Sequence, residues 1–126
     1  MHLITQSSRS LLRIATGALL LGTASLAFAH AYPVKQNPGA GSTVSTAQKD
    51  VSIEFDDALE PAFSSIAVAD AQGQPVTAAP AAVDATDKKH MSVMLKALTP
   101  GVYTVHWVAV ADDSHRTQGH YSFTVK

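Results

Sequence analysis

A chain of 126 residues, 46% hydrophobic and 15% charged, has the size and balance of one small domain. It contains no cysteine, which excludes a disulfide scaffold, a thiolate zinc site and a cysteine nucleophile. Nine Lys and Arg against ten Asp and Glu leave a net charge of -1 and no basic footprint for the phosphates of a nucleic acid.

Residues 1–29 differ in kind from the rest. They carry Arg9 and Arg13 and no acid, continue through the apolar stretches Ile14 to Leu21 and Leu26 to Phe28, and close on Ala27-Phe28-Ala29. A basic start, an apolar middle and small residues at the end are the marks of a secretory signal peptide. Only ~15 residues are apolar, interrupted by Thr16, Gly17, Gly22, Thr23 and Ser25, against the ~20 that span a bilayer. No twin arginine precedes them, so the expected route is general secretion of an unfolded chain. Cleavage after Ala29 leaves residues 30–126, a single 97-residue domain with seven Lys and Arg, ten Asp and Glu and a net charge of -3. No membrane-inserted segment then remains. The same cut makes His30 the first residue, and a free α-amine beside an imidazole closes a chelate ring on one metal ion that no internal histidine can form.

The remainder reads as strands. Val51, Ile53 and Phe55 alternate with Ser52 and Glu54, a period of two. Ile66 and Val68 continue the pattern, and Asp70-Ala71-Gln72-Gly73 supplies a turn before Pro75 and Val76. The Ala- and Pro-rich stretch Val76 to Asp87 has no clean period and reads as a loop or weak edge strand. Met91, Val93 and Leu95 alternate with Ser92, Met94 and Lys96, which places the two methionines on opposite faces, one for the core and one for the surface. Pro100-Gly101 is a tight-turn pair, and Val102 to Val110 is the longest strand, with Tyr103, Val105, Trp107 and Ala109 on one face. Tyr121, Phe123 and Val125 close the chain. Short strands, turn residues between them and no helical period predict an all-β fold: an antiparallel, immunoglobulin-like or cupredoxin-like sandwich of about seven strands in Greek-key order. Its core is expected to hold Phe55, Tyr103, Trp107 and Phe123.

Chemistry points to the loop between the last two strands, Asp112 to Gly119. Asp113 and His115 stand two residues apart, so in an extended segment both project to one side; Asp112 is the neighbouring alternative. Asp-x-His alone is ordinary turn polarity. Paired with an exposed His30 it becomes a donor set. The His30 amine and imidazole, the His115 imidazole and an Asp113 oxygen give three nitrogens and one oxygen, suited to a tetragonal Cu(II) ion; zinc accepts similar donors in a tetrahedron. One ion per chain is expected. The amine and both imidazoles bind metal only when deprotonated, so acid should release it.

These residues resemble a known family. His30, Asn37-Pro38-Gly39 with Gly41-Ser42-Thr43-Val44, Ile53-Glu54-Phe55-Asp56-Asp57, Leu98-Thr99-Pro100-Gly101-Val102-Tyr103-Thr104-Val105-His106-Trp107, and Asp113-Ser114-His115 ahead of Gly119 and Phe123-Thr124-Val125 look like the periplasmic copper-resistance protein C (CopC) family. The resemblance implies a cupredoxin-like sandwich binding Cu(II) in the periplasm, with His30, Asp113 and His115 as ligands and Asp57 as an outer-shell or weak axial candidate. It implies a non-catalytic, monomeric carrier or buffer for copper resistance, able to pass its ion to an inner-membrane transporter. Two features depart from the family pattern. The stretch Val68 to Ala78 holds none of the methionines that bind Cu(I) in some members, and Ala31 replaces a frequent proline, a change expected to loosen the amino terminus.

The remaining histidines have plainer readings. His90 is expected to be solvated. His106 and His120 fall on the polar faces of the last two strands, and an antiparallel register that set them opposite one another would allow a surface metal pair. Two other function classes compete with the carrier. A histidine brace of amine and imidazole also serves copper monooxygenases, but about 97 residues leave little substrate platform and Trp107 falls on a face that predicts burial. A metal-free immunoglobulin-like adhesion or interaction module is the other.

Overall fold

Alternating apolar residues drive the chain into two facing sheets, and the computed structural model describes this for residues 30–126. The expected signal peptide, residues 1–29, lies outside the described residues. The strands are β1 (Pro33–Asn37), β2 (Thr43–Val44), β3 (Asp50–Phe55), β4 (Ser65–Ala69), β5 (Ala82–Val83), β6 (His90–Met94), β7 (Gly101–Val110) and β8 (Arg116–Val125). One sheet runs β1-β3-β6-β5 and the other β2-β8-β7-β4, so the chain crosses repeatedly from layer to layer. Among the described residues no helix is long and apolar enough to cross a membrane.

Among the described residues eight strands form where about seven are expected, and one pair is not antiparallel: Thr43 and Val44 of β2 run parallel to Thr124 and Val125 of β8. The chain reaches that position through a turn at Gly41, whose φ of 72° lies in the left-handed region that a side chain disfavours. The stretch from Val76 is a weak edge, as its composition suggests. Thr77 bridges Leu95 and only Ala82 and Val83 join the sheet, against Ser92 and Met91.

The core is what the period-two pattern predicts. Val51, Ile53, Phe55, Met91 and Val93 from the first sheet meet Ile66, Val68, Tyr103, Val105, Trp107, Phe123 and Val125 from the second, all buried. Each such side chain contributes roughly 1.5–3 kcal/mol by leaving water. Phe55 meets Trp107 edge to face at 5.5 Å, and Tyr103 stacks on Phe123 at 5.6 Å. Met91 is fully buried and Met94 is 53% exposed, the division expected of two methionines three positions apart on a strand. The hydroxyl of Tyr103 donates to the Thr99 carbonyl at 2.7 Å and accepts the Thr99 N–H at 3.1 Å, fastening the entry to β7.

Tyr121 is treated less well. Its ring is buried, and its hydroxyl has no hydrogen-bond partner among the described residues. Burial pushes its phenol up to about 12, because the phenolate is poorly solvated there. The raised value means that this group favours folding fully below the ordinary tyrosine range near ~10 and loses that contribution as pH climbs through about 12. Tyr121→Phe removes an unpaired hydroxyl at almost no change of shape. We expect it to raise stability by about 1 kcal/mol in urea melts and to reduce the loss of stability at alkaline pH.

Candidate metal centre

The β7–β8 ladder pairs residue for residue from Gly101 opposite Val125 to Val110 opposite Arg116. The expected loop Asp112 to Gly119 is therefore much shorter, since β8 already begins at Arg116. The turn is closed by the Ser114 N–H donating to the Ala111 carbonyl and the Ala111 N–H donating to the His115 carbonyl, both at 2.9 Å. Ser114 takes a φ of 72°, a left-handed conformation that costs a residue with a side chain roughly 1–2 kcal/mol. This kink, rather than an extended backbone, brings Asp113 and His115 to one side. Asp113 then grips His115 twice: Oδ1 accepts the His115 N–H at 3.1 Å, and Oδ2 lies 2.7 Å from the imidazole Nδ1. Both side chains remain open to solvent, at 33% and 39% exposure. Asp113, not Asp112, is the acid that holds the histidine.

The amino-terminal segment arrives at the same turn. Ala31 is fully buried, and its carbonyl accepts the hydroxyl of Thr117, two residues beyond His115. The next residue is fixed as well. The Tyr32 N–H donates to Asp56 Oδ1 at 2.8 Å, and the Asp56 N–H donates to the Tyr32 carbonyl at 3.0 Å. Ala31 therefore seats the segment: its side chain is enclosed and its carbonyl is tied down. From this seat the His30 ring stacks on the His115 ring with centroids 5.0 Å apart and planes 12° from parallel, and the Tyr32 ring stacks with that of His30 at 6.0 Å.

Residues separated by more than eighty positions in the chain are thus neighbours, and Asp113, His115 and His30 meet at one end of the sandwich. They meet ring on ring. Among the described residues no group of three or more His, Asp or Glu side chains is already drawn together around a single point. Closing on an ion therefore requires the exposed rings to turn, and the side-chain set is one donor short without the backbone nitrogen of residue 30. The Oδ1 of Asp57 accepts the N–H of Ala58 at 2.8 Å. The acid that engages the amino-terminal segment is its neighbour Asp56. Sequence alone does not single out Asp56, Thr117 or Ser114, because each acts through the backbone of a residue distant in the chain or through its own dihedral angle.

Residues 33–126 match the CopC domain. The chain belongs to the CopC family. Across the family's curated members it is 35% identical over 100 residues to protein YobA of Escherichia coli (strain K12), covering 79% of this chain and 81% of that one. It is 32% identical over 120 residues to copper resistance protein C of Escherichia coli, covering 90% and 94%. With copper transport protein CutJ of Bacillus subtilis (strain 168) it shares 35% identity over 99 residues, 78% of this chain but 18% of CutJ. The crystal structure of CopC from Methylosinus trichosporium OB3b superposes with a TM-score of 0.72 at 31% identity, covering 77% of this chain and 94% of that chain. The likeness extends through both sheets, and the β-sandwich is the family's fold.

Proposed function

We propose that this CopC-family protein is a periplasmic copper carrier that holds one Cu(II) ion through His30, Asp113 and His115 and yields it to a membrane transporter. Copper is its cargo. A copper-resistance protein of this family is not an enzyme, so neither a histidine-brace monooxygenase nor a metal-free adhesion module describes it. The observation that carries the reading is the meeting of His30 and His115 at 5.0 Å, with Asp113 2.7 Å from His115.

The donor roles follow from the bonding. Export and cleavage after Ala29 turn the peptide nitrogen of His30 into an amine, which joins its own ring to form the chelate. Asp113 already lies against Nδ1 of His115, fixing which way that ring faces, as carboxylates commonly do for metal-bound imidazoles. Turned toward the ion, its charge favours the divalent state over Cu(I). Asp57 is assigned no bond to the metal. Neither methionine of the domain stands at this turn: Met91 is in the core and Met94 is on the other sheet. That composition suits Cu(II) and offers no thioether site for Cu(I). The match to a segment of CutJ, a longer protein named for copper transport, supports a membrane transporter as acceptor.

A chain beginning at His30 should take up one equivalent of Cu(II), with an electron paramagnetic resonance spectrum of three nitrogens and one oxygen. The same chain with one extra residue before His30 should lose most of its affinity, since the amine moves out of reach. Equal binding by both forms would overturn the assignment. Lowering the pH should release copper from the first form, because each nitrogen must give up its metal to be protonated.

A further inference from the structure

The middle of the β7–β8 ladder carries a second pair of imidazoles. His106 and His120 are directly opposite in the antiparallel register, and their rings lie 5.7 Å apart, tilted by 33°. Both side chains are exposed on the outer face of the sheet, and the two rings face each other. Strands on either side of His106 shape the pair: Ala67 of β4 lies opposite it on one flank, too small to hold the ring, while His120 stands on the other. A cross-strand pair of rings contributes roughly 0.2–1 kcal/mol to a sheet, which many other residue pairs supply equally well, so packing alone does not call for two imidazoles here.

We infer that His106 and His120 form a second metal site, weaker than the first, for a divalent ion that favours imidazole, of the Zn(II) or Cu(II) class. Imidazole nitrogens sit ~2.0–2.1 Å from such an ion, which sets two ring centroids sharing it about 4.5–6 Å apart according to the angle at the metal. The observed 5.7 Å lies within that span without any movement of the backbone. Above the pair is a depression of about 290 Å³, lined also by Gln118 and Gly119. It accommodates an ion and several waters at ~30 Å³ each, so water completes the coordination. The neighbours on this face, Thr104, Val108, Gln118 and Ser122, are uncharged. Neutral nitrogen donors without a carboxylate exclude Ca(II) and Mg(II), which require oxygen ligands. With two imidazoles in place of an amine, two imidazoles and an anion, the site fills only after the first.

The site owes nothing to residue 30 or to Asp113, so its failure and that of the copper centre are separately visible. The chain beginning at His30, loaded with one equivalent of Cu(II), is titrated with Zn(II) by calorimetry while the copper spectrum is watched. One further Zn(II) per chain is expected, with the spectrum of the first ion unchanged and the ring resonances of His106 and His120 shifting together in nuclear magnetic resonance. His106→Ala and His120→Ala should each weaken the second event by at least the ~10- to 100-fold that loss of even an outer-shell partner costs. Both replacements are on the sheet surface, and unchanged circular dichroism would show the fold intact; His106→Gln repeats the test with a polar residue of similar size. His90→Ala and the chain extended before His30 should retain the second event. The inference is overturned if no Zn(II) binds, if binding survives loss of either His106 or His120, or if it disappears with His90.

Discussion

His115→Ala is expected to weaken Cu(II) by ~100-fold or more and to leave the copper-free fold almost untouched. The ring is 39% exposed, and substitutions at such positions usually alter stability by no more than ~0.5 kcal/mol. Its loss removes one nitrogen and also frees the Asp113 carboxylate that was set against it at 2.7 Å, so two of the donors suffer together. Even loss of an outer partner costs ~10- to 100-fold in metal affinity, and a direct ligand costs at least as much. Asp113→Asn is the informative companion. It keeps the shape and a bond to the imidazole but loses the charge; a fall as large as that of His115→Ala makes Asp113 a ligand, and a smaller one makes it the group that orients His115. Calorimetry gives the affinities and the spectrum counts the nitrogens. A His115→Ala chain that unfolds, or one that binds copper as before, would remove this turn from the copper centre.

Gly119→Ala carries the largest expected cost to the fold. Gly119 is opposite Trp107, and a Cβ built on it would lie 2.6 Å from Cζ2, 2.8 Å from Cε2 and 3.0 Å from Nε1 of the indole. The indole occupies the space that any other residue would fill with its first carbon. Trp107 cannot withdraw, being itself buried and packed against Phe55. Overfilling a closed core of this kind costs about 1–3 kcal/mol, or roughly 4–8 °C of melting temperature per kcal/mol for a domain of this size. Trp107→Phe in the same chain gives back the space. The double variant should therefore be more stable than the sum of the two separate losses predicts, the sign of residues in direct contact. Independent, additive losses would show that the ring does not lie over Gly119 in solution.

The strands that repeat with a period of two over five residues or more were legible, together with the aromatic core, because burial on one face leaves a mark on every second residue. β1, β2 and β5 carry no such mark. β1 is largely exposed, and the other two are two residues long and owe their pairing to where the chain delivers them. At the candidate metal centre, His30, Asp113 and His115 could be singled out in the sequence because metal chemistry restricts which residue types can serve, and the fold brings the three together. The kink at Ser114 was not, since nothing in a serine announces a left-handed backbone. Nor was the bond from Thr117 to Ala31, which spans 86 positions. The choice between adjacent acids could not be made either: Asp112 and Asp113, like Asp56 and Asp57, differ only in where a turn points them. His106 and His120 fall between these cases, because their meeting depends on a register that alternation fixes only to within an even number of residues.

The clasp between Thr117 and Ala31 determines how cargo can leave. With the proposed cleavage after Ala29, only His30 would precede the anchored Ala31 and Tyr32, and releasing it would mean parting its ring from Tyr32 and His115. Fraying of a single terminal residue is among the cheapest excursions available to any protein, far below the cost of opening a strand. In the proposed carrier, an acceptor would displace the ion stepwise, first from the terminal residue and then from the rigid turn. Tight retention and ready handover need not conflict: the first reflects how many donors hold the ion at rest, and the second how few must let go to begin.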